Sequence, residues 1–115
     1  MTLQECYVKI GGDYNDILHR FMNENMVRKF ALKFTQDNNM ALFEESWAKK
    51  DYETAFRAMH TLKGVAVNLG FTALYNVSSA LTEKLRSQEY DNLDGLIADV
   101  KKQYDIVIEA IAALG

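Results

Sequence analysis

The 115 residues contain no proline. Proline lacks a backbone donor and clashes with the preceding helical turn, so only glycines and polar breaks interrupt the helical segments of this chain. Most of its six glycines fall between stretches in which apolar residues recur every three or four positions, the spacing of one helical face. The pattern predicts an all-α fold of helices joined by short loops.

The segments follow in order. The first dozen residues form a short helix or an irregular lead-in, closed by Gly11-Gly12. Asp13 caps a short helix with Tyr14, Ile17, Leu18 and Phe21 on one face. Met26, Val27, Phe30, Ala31 and Phe34 mark the next, and Gln36-Asp37-Asn38-Asn39 is a polar break. Met40, Phe43 and Trp47 belong to another helix, ending near Lys49-Lys50-Asp51, where lysines suit the negative helix terminus. The segment from Tyr52 to Leu69 stops at Gly70, as helices commonly do at glycine. Its successor starts near Thr72 and carries Leu74, Val77, Leu81 and Leu85. Beyond the polar stretch Ser87 to Asn92, a long apolar stripe runs from Leu93 through Val100 and Val107 to Leu114, fit for packing in a bundle. Short loops make consecutive helices antiparallel. The expected architecture is an antiparallel up-and-down four-helix bundle over about residues 38–114. One or two short N-terminal helices, within about residues 1–36, close one end, and the whole of residues 1–115 is read as one domain.

Charge and composition narrow the function. A formal net charge of -3 argues against nucleic acid, whose binders cluster Lys and Arg for phosphate contacts. Cys6 is the only cysteine, so no internal disulfide is possible. No leader pattern opens the chain, and the apolar stretch Ile106 to Leu114, broken by Glu109, falls short of the roughly 20 residues a span needs. A cytoplasmic location, no membrane association and a monomeric state are expected. No glycine-rich phosphate loop is present, so no means of binding ATP is visible.

The segment Tyr52 to Gly70 carries the chemistry. At about 100° per residue, Tyr52, Ala55, Ala58, Met59, Leu62, Val65, Ala66 and Leu69 share one arc, the core face. His60 falls on the opposite side, with Lys63 and Gly64 at i+3 and i+4, where helical neighbours meet. A helical side chain leans toward the N-terminus, so a residue at 64 would lean over His60, and glycine leaves that space open. Glycine in mid-helix costs about 1 kcal/mol relative to alanine, which calls for a compensating use. Lys63 places an ammonium where it can stabilise negative charge on the ring, and neutral imidazole is a competent nucleophile. Phe56 and Val67 are apolar on the same exposed face. With Arg57 and Asn68 at its rim, they form a candidate docking patch for a protein partner. The plainer alternatives are an ordinary surface histidine, a solvated lysine and scattered exposed apolar residues.

The stretch Met59-His60-Thr61-Leu62-Lys63-Gly64-Val65-Ala66-Val67-Asn68-Leu69-Gly70 resembles the signature of histidine-containing phosphotransfer (HPt) domains, a pattern of His-x-Leu-Lys-Gly, any four residues, then an apolar residue and glycine. Leu74, Leu81 and Leu85-Arg86 also fit, and the resemblance runs from about Met26 to Leu114. It implies a four-helix bundle that relays phosphoryl groups in two-component signalling. The chain would be a phosphocarrier, not an independent kinase. By this resemblance His60 is the phosphorylated nucleophile, at Nε2. Lys63 stabilises the phosphoryl group and Gly64 gives access. The partners would be response-regulator receiver domains and a sensor histidine kinase. No cofactor belongs to the chain itself, since the Mg²⁺ would come with the receiver. Many family members carry Glu or Gln opposite the histidine on the next helix, and here the level position is Thr82, expected to make a shorter polar contact with the ring or to leave it to water.

Two other classes compete. A helical module that docks on a receiver or kinase without being phosphorylated would bind equally well without His60. A di-iron oxidase on a helix bundle needs two Glu-x-x-His helices and further carboxylates. Asp16-x-x-His19 is at most half of such a set, and His60 has Arg57 at i-3, so no metal site is expected.

Overall fold

The computed structural model describes residues 1–114. Seven α-helices and one 3-10 turn make up the described chain: α1 (Leu3–Ile10), α2 (Tyr14–Phe21), α3 (Glu24–Lys33), the 3-10 turn Phe34–Gln36, α4 (Asn39–Ala48), α5 (Tyr52–Asn68), α6 (Thr72–Arg86) and α7 (Asp94–Ala112). The all-α class stands. The N-terminal part is richer than the pattern predicts, with three short helices in place of one or two.

Helices α4 to α7 are the up-and-down bundle. Helix α5 packs between α4 and α6, and α6 packs on α7. The Lys101–Glu44 ion pair at 3.8 Å joins α7 to α4. Ala55, Ala58, Met59, Leu62, Ala66 and Leu69 of α5 are buried, while Tyr52 and Val65 are half-buried at the edges of that arc. The small alanines let the neighbouring helices approach closely. Asp51 caps α5, accepting a hydrogen bond from the Thr54 N–H at 3.3 Å. Hydrogen bonds from the Thr54 hydroxyl and N–H hold the Asp51 carboxyl below its ordinary value.

Gly70 ends α5 with φ +73°. The Phe71 N–H returns to the Ala66 carbonyl (2.9 Å) and the Gly70 N–H to that of Val67 (3.3 Å), which satisfies carbonyls the helix end would otherwise leave unpaired. The positive φ is what favours glycine here, and a Cβ at 70 would in addition press on the Ile17 Cβ at 3.1 Å.

The N-terminal helices are stitched onto this turn. Leu3, Cys6, Tyr7 and Ile10 are buried, and α1 lies against α7. The Tyr7 hydroxyl donates to the Leu69 carbonyl at 2.6 Å. The Asp13 N–H donates to the Gly70 carbonyl (3.2 Å), and the Ala73 N–H donates to that of Gly11 (3.2 Å). Phe71 is fully buried between the rings of Tyr7 (5.8 Å) and Phe34 (5.3 Å). Phe34 in turn meets Tyr104 of α7 at 5.7 Å. Aromatic contacts at such separations add about 0.5–1.5 kcal/mol each beyond burial. They fix the cap at the end of the bundle where the His60 helix stops.

Candidate functional site

His60 sits midway along α5 and is exposed. Its position follows from the helix pattern: Met59 and Leu62 on either side are fully buried, so the side chain between them points away from the core. Gly64 is helical, and a Cβ added there would meet nothing within 4 Å. The glycine therefore leaves open space beside the ring and is not demanded by packing. Lys63, three residues after His60, is half-buried, so its stem lies along the surface. Among the described residues it forms no ion pair.

Phe56 lies one turn before His60. The two rings are nearly parallel, 12° apart with centroids at 5.8 Å. The Arg86 guanidinium lies over the Phe56 ring, 5.2 Å from its centroid, within the range of a cation–π contact. Among the described residues no hydrogen bond reaches the imidazole, so the contact that orients the ring is this offset stack. Arg86 was not among the sequence-predicted site residues. The signal for it was a basic residue in the last turn of the helix antiparallel to α5.

Of the two expectations for Thr82, direct polar contact with the ring is excluded. Phe56 is level with Arg86, and His60 and Thr82 each lie one turn nearer the α5–α6 turn, so the axial register is as expected. Thr82 is nevertheless fully buried, and its hydroxyl donates to the Ser78 carbonyl at 2.7 Å. Its neighbours Leu81 and Leu85 are also in the core, and the hydroxyl is used within its own helix, as buried Ser and Thr side chains often are. It makes no polar contact with His60.

The remaining surface candidates divide. Arg57 is exposed and paired with Glu53 at 3.3 Å. Val67 is 44% exposed, and its carbonyl accepts a hydrogen bond from Arg20 Nη2 at 3.1 Å, a link from the cap to the edge of the histidine face. Asn68 is exposed and lies on the rim of a cleft between α5 and the cap. Around His60, the cations Arg57, Lys63 and Arg86 outnumber the carboxylates Glu53 and Glu83, which pair with Arg57 and Arg86. The local field therefore favours an anion.

His19 is exposed, and Asp16, the other half of its spacing, is ion-paired with Arg20 at 3.1 Å. Among the described residues, no group of three or more His, Cys, Asp or Glu side chains is placed to hold a metal ion. Cys6 is buried, and burial pushes its thiol pKa up. Among the described residues, no helix is long and apolar enough to cross a membrane.

The imidazole thus stands open on a bundle helix, with glycine one turn on and cations around it, on a surface and not in a pocket. A family model described as the Hpt domain matches residues 31–113, and the chain belongs to that family. Hpt domains are phosphocarrier modules of two-component phosphorelays that work with receiver domains and kinases. No match was found among curated proteins or among solved structures.

Proposed function

We propose that this protein accepts a phosphoryl group on His60 from the aspartyl phosphate of a receiver domain, or from a kinase, and passes it to the aspartate of a response-regulator receiver. The observation that carries the proposal is the exposed His60 ring beside the empty space at Gly64. In the forward step the Nε2 lone pair attacks phosphorus and the P–O bond to the aspartyl carboxylate breaks. The carboxylate leaves with the bonding electrons, and the Nδ1 proton stays on the ring. Return transfer to a second aspartate reverses this. Lys63, free of any ion pair among the described residues, offsets the charge that the phosphoryl group brings. The stack on Phe56 limits the orientations of the ring, so less freedom is lost when the reacting atoms align. Phe56, Arg57, Val67 and Asn68 form the face on which the receiver docks. The chain contributes nucleophile, charge and fit, and the Mg²⁺ belongs to the receiver.

The test is transfer of radiolabelled phosphoryl from a phosphorylated cognate receiver. Acid-labile label is expected on the wild type and absent from His60→Gln. Label that persists in His60→Gln, or never reaches the wild type with any receiver of the source organism, overturns the assignment. A receiver that binds wild type and His60→Ala equally, with no label on either, identifies an unphosphorylated docking module instead.

A further inference from the structure

We propose that Arg86 is a positioning residue for the transfer step: it holds the Phe56 ring, and through that ring it holds the His60 imidazole in one orientation. The inference rests on the phosphotransfer reading for its kinetic consequence, while the contacts stand without it. They run in series across α5 and α6. Arg86 Nε donates to the Glu83 carboxylate at 3.4 Å, three residues earlier on the same helix. The Arg86 guanidinium lies over the Phe56 ring, 5.2 Å from its centroid. The Phe56 and His60 rings are 12° from parallel, with centroids at 5.8 Å. A cation attracts the electron-rich face of an aromatic ring, and offset parallel rings at this separation attract one another. Each link therefore restricts the next.

Packing alone does not fix Phe56. Its ring rests on the core but is only half-buried. It borders an open cleft of about 460 Å³ with Tyr52, Leu85, Arg86 and Tyr90. A turn of the ring toward that cleft would break the stack on His60, and the guanidinium over the ring opposes it. The backbone that carries Arg86 is itself held in place. Tyr52, one turn before Phe56, stacks on Tyr90, four residues after Arg86, with centroids 3.8 Å apart and planes 11° apart. That stack clamps the start of α5 to the chain just beyond the end of α6. Lys84, the other cation in the last turn of α6, is paired instead with Glu89 at 4.0 Å. Among the described residues no hydrogen bond reaches the imidazole, so loss of the stack frees the ring about its side-chain torsions. The in-line geometry of transfer must then be selected from more orientations.

The test is a double-mutant cycle in single-turnover transfer from a phosphorylated receiver at saturating concentration, with Arg86→Gln, Phe56→Leu and the pair. Position 86 is exposed, so Arg86→Gln leaves the core intact. It is expected to slow transfer about two- to fivefold, the effect of one exposed cation–π contact, and to leave the receiver Kd within about twofold. In the Phe56→Leu background it should have no further effect. Arg86→Lys, which keeps a cation within reach of the ring, should restore most of the rate. NMR of the unphosphorylated chain reads the orientation itself. At alkaline pH, where the imidazole is neutral, the His60 ring-proton shifts of Arg86→Gln should move toward those of Phe56→Leu. A slowing that persists in full in the Phe56→Leu background would place Arg86 on the phosphoryl group or the receiver, and overturns the proposal. So do His60 ring shifts that Arg86→Gln leaves unchanged, or a loss confined to Kd. A wild type that takes no label from any receiver, with ring shifts that still respond to Arg86→Gln, overturns the phosphotransfer reading and the kinetic role with it. Intact transfer with unresponsive ring shifts refutes the positioning role alone.

Discussion

Replacing Gly64 with alanine should make the protein more stable and less active. The glycine is helical, and the added Cβ meets nothing within 4 Å, so no contact is strained. The gain is the helix-propensity difference, about 1 kcal/mol. For 115 residues the unfolding entropy is about 0.24 kcal/mol/K, so the gain raises Tm by about 4 °C. The methyl leans toward His60 and would hold an approaching phosphoryl donor off by on the order of 1 Å, a displacement that can slow transfer by about 100-fold. Thermal melts and single-turnover transfer from a phosphorylated receiver read the two effects separately. A Tm that falls would mean that packing requires the glycine. A Tm that rises with an unchanged transfer rate would remove the access role. Gly12 supplies the contrast: a Cβ there would lie 2.5 Å from the Gly70 carbonyl oxygen and 2.8 Å from Tyr7, so Gly12→Ala should destabilise.

Tyr7→Phe removes the buried hydrogen bond to the Leu69 carbonyl, a loss of about 1–2 kcal/mol; Tm should drop by about 4–8 °C, and a drop below 1 °C would show that the bond contributes nothing. Thr82→Val keeps the shape of a buried side chain whose hydroxyl serves only Ser78, so phosphotransfer should stay within about twofold of wild type, and a larger loss would place Thr82 in contact with the ring. Burial raises the pKa of both the Cys6 thiol and the Tyr7 phenol above their ordinary values of 9.0 and 10.0. Each therefore ionises more readily in the unfolded chain, and stability should hold below pH 9 and fall as the pH rises above it, a trend that denaturant titrations should find weaker in Cys6→Ala. The same thiol should react with Ellman's reagent only as fast as the protein opens, and rapid modification of the native state would contradict its burial.

The histidine face was legible because it depends on one helix. Periodicity alone separates Met59 and Leu62 from His60, and both fall in the core as the wheel requires. The level of Thr82 was legible too, since a tight turn at Gly70 sets the axial register of two antiparallel helices. Its direction was not: the rotation of α6 about its own axis is set by Leu74, Leu81 and Leu85 packing together, and that turns position 82 inward. Arg86 over Phe56 depends on the same rotation. The lead-in shows the other limit. Leu3, Cys6, Tyr7 and Ile10 have helical spacing, and Gly11-Gly12 marks its end, but nothing local indicates that this turn receives a hydrogen bond from Ala73 and returns one to Gly70. Such pairings join residues about sixty positions apart and are decided by the assembled tertiary structure.

That separation orders events during synthesis. The first helix leaves the ribosome with Tyr7 already made, yet its acceptor at Leu69 and its aromatic neighbour Phe71 follow some sixty residues later. At about 5–20 residues per second, the wait lasts about 3–12 s. The cap cannot dock before α5 and its closing turn exist, and the apolar face of α1 waits longer still for α7, against which it lies. The cap is thus seated only after α5, and it locks the end of the helix that carries His60.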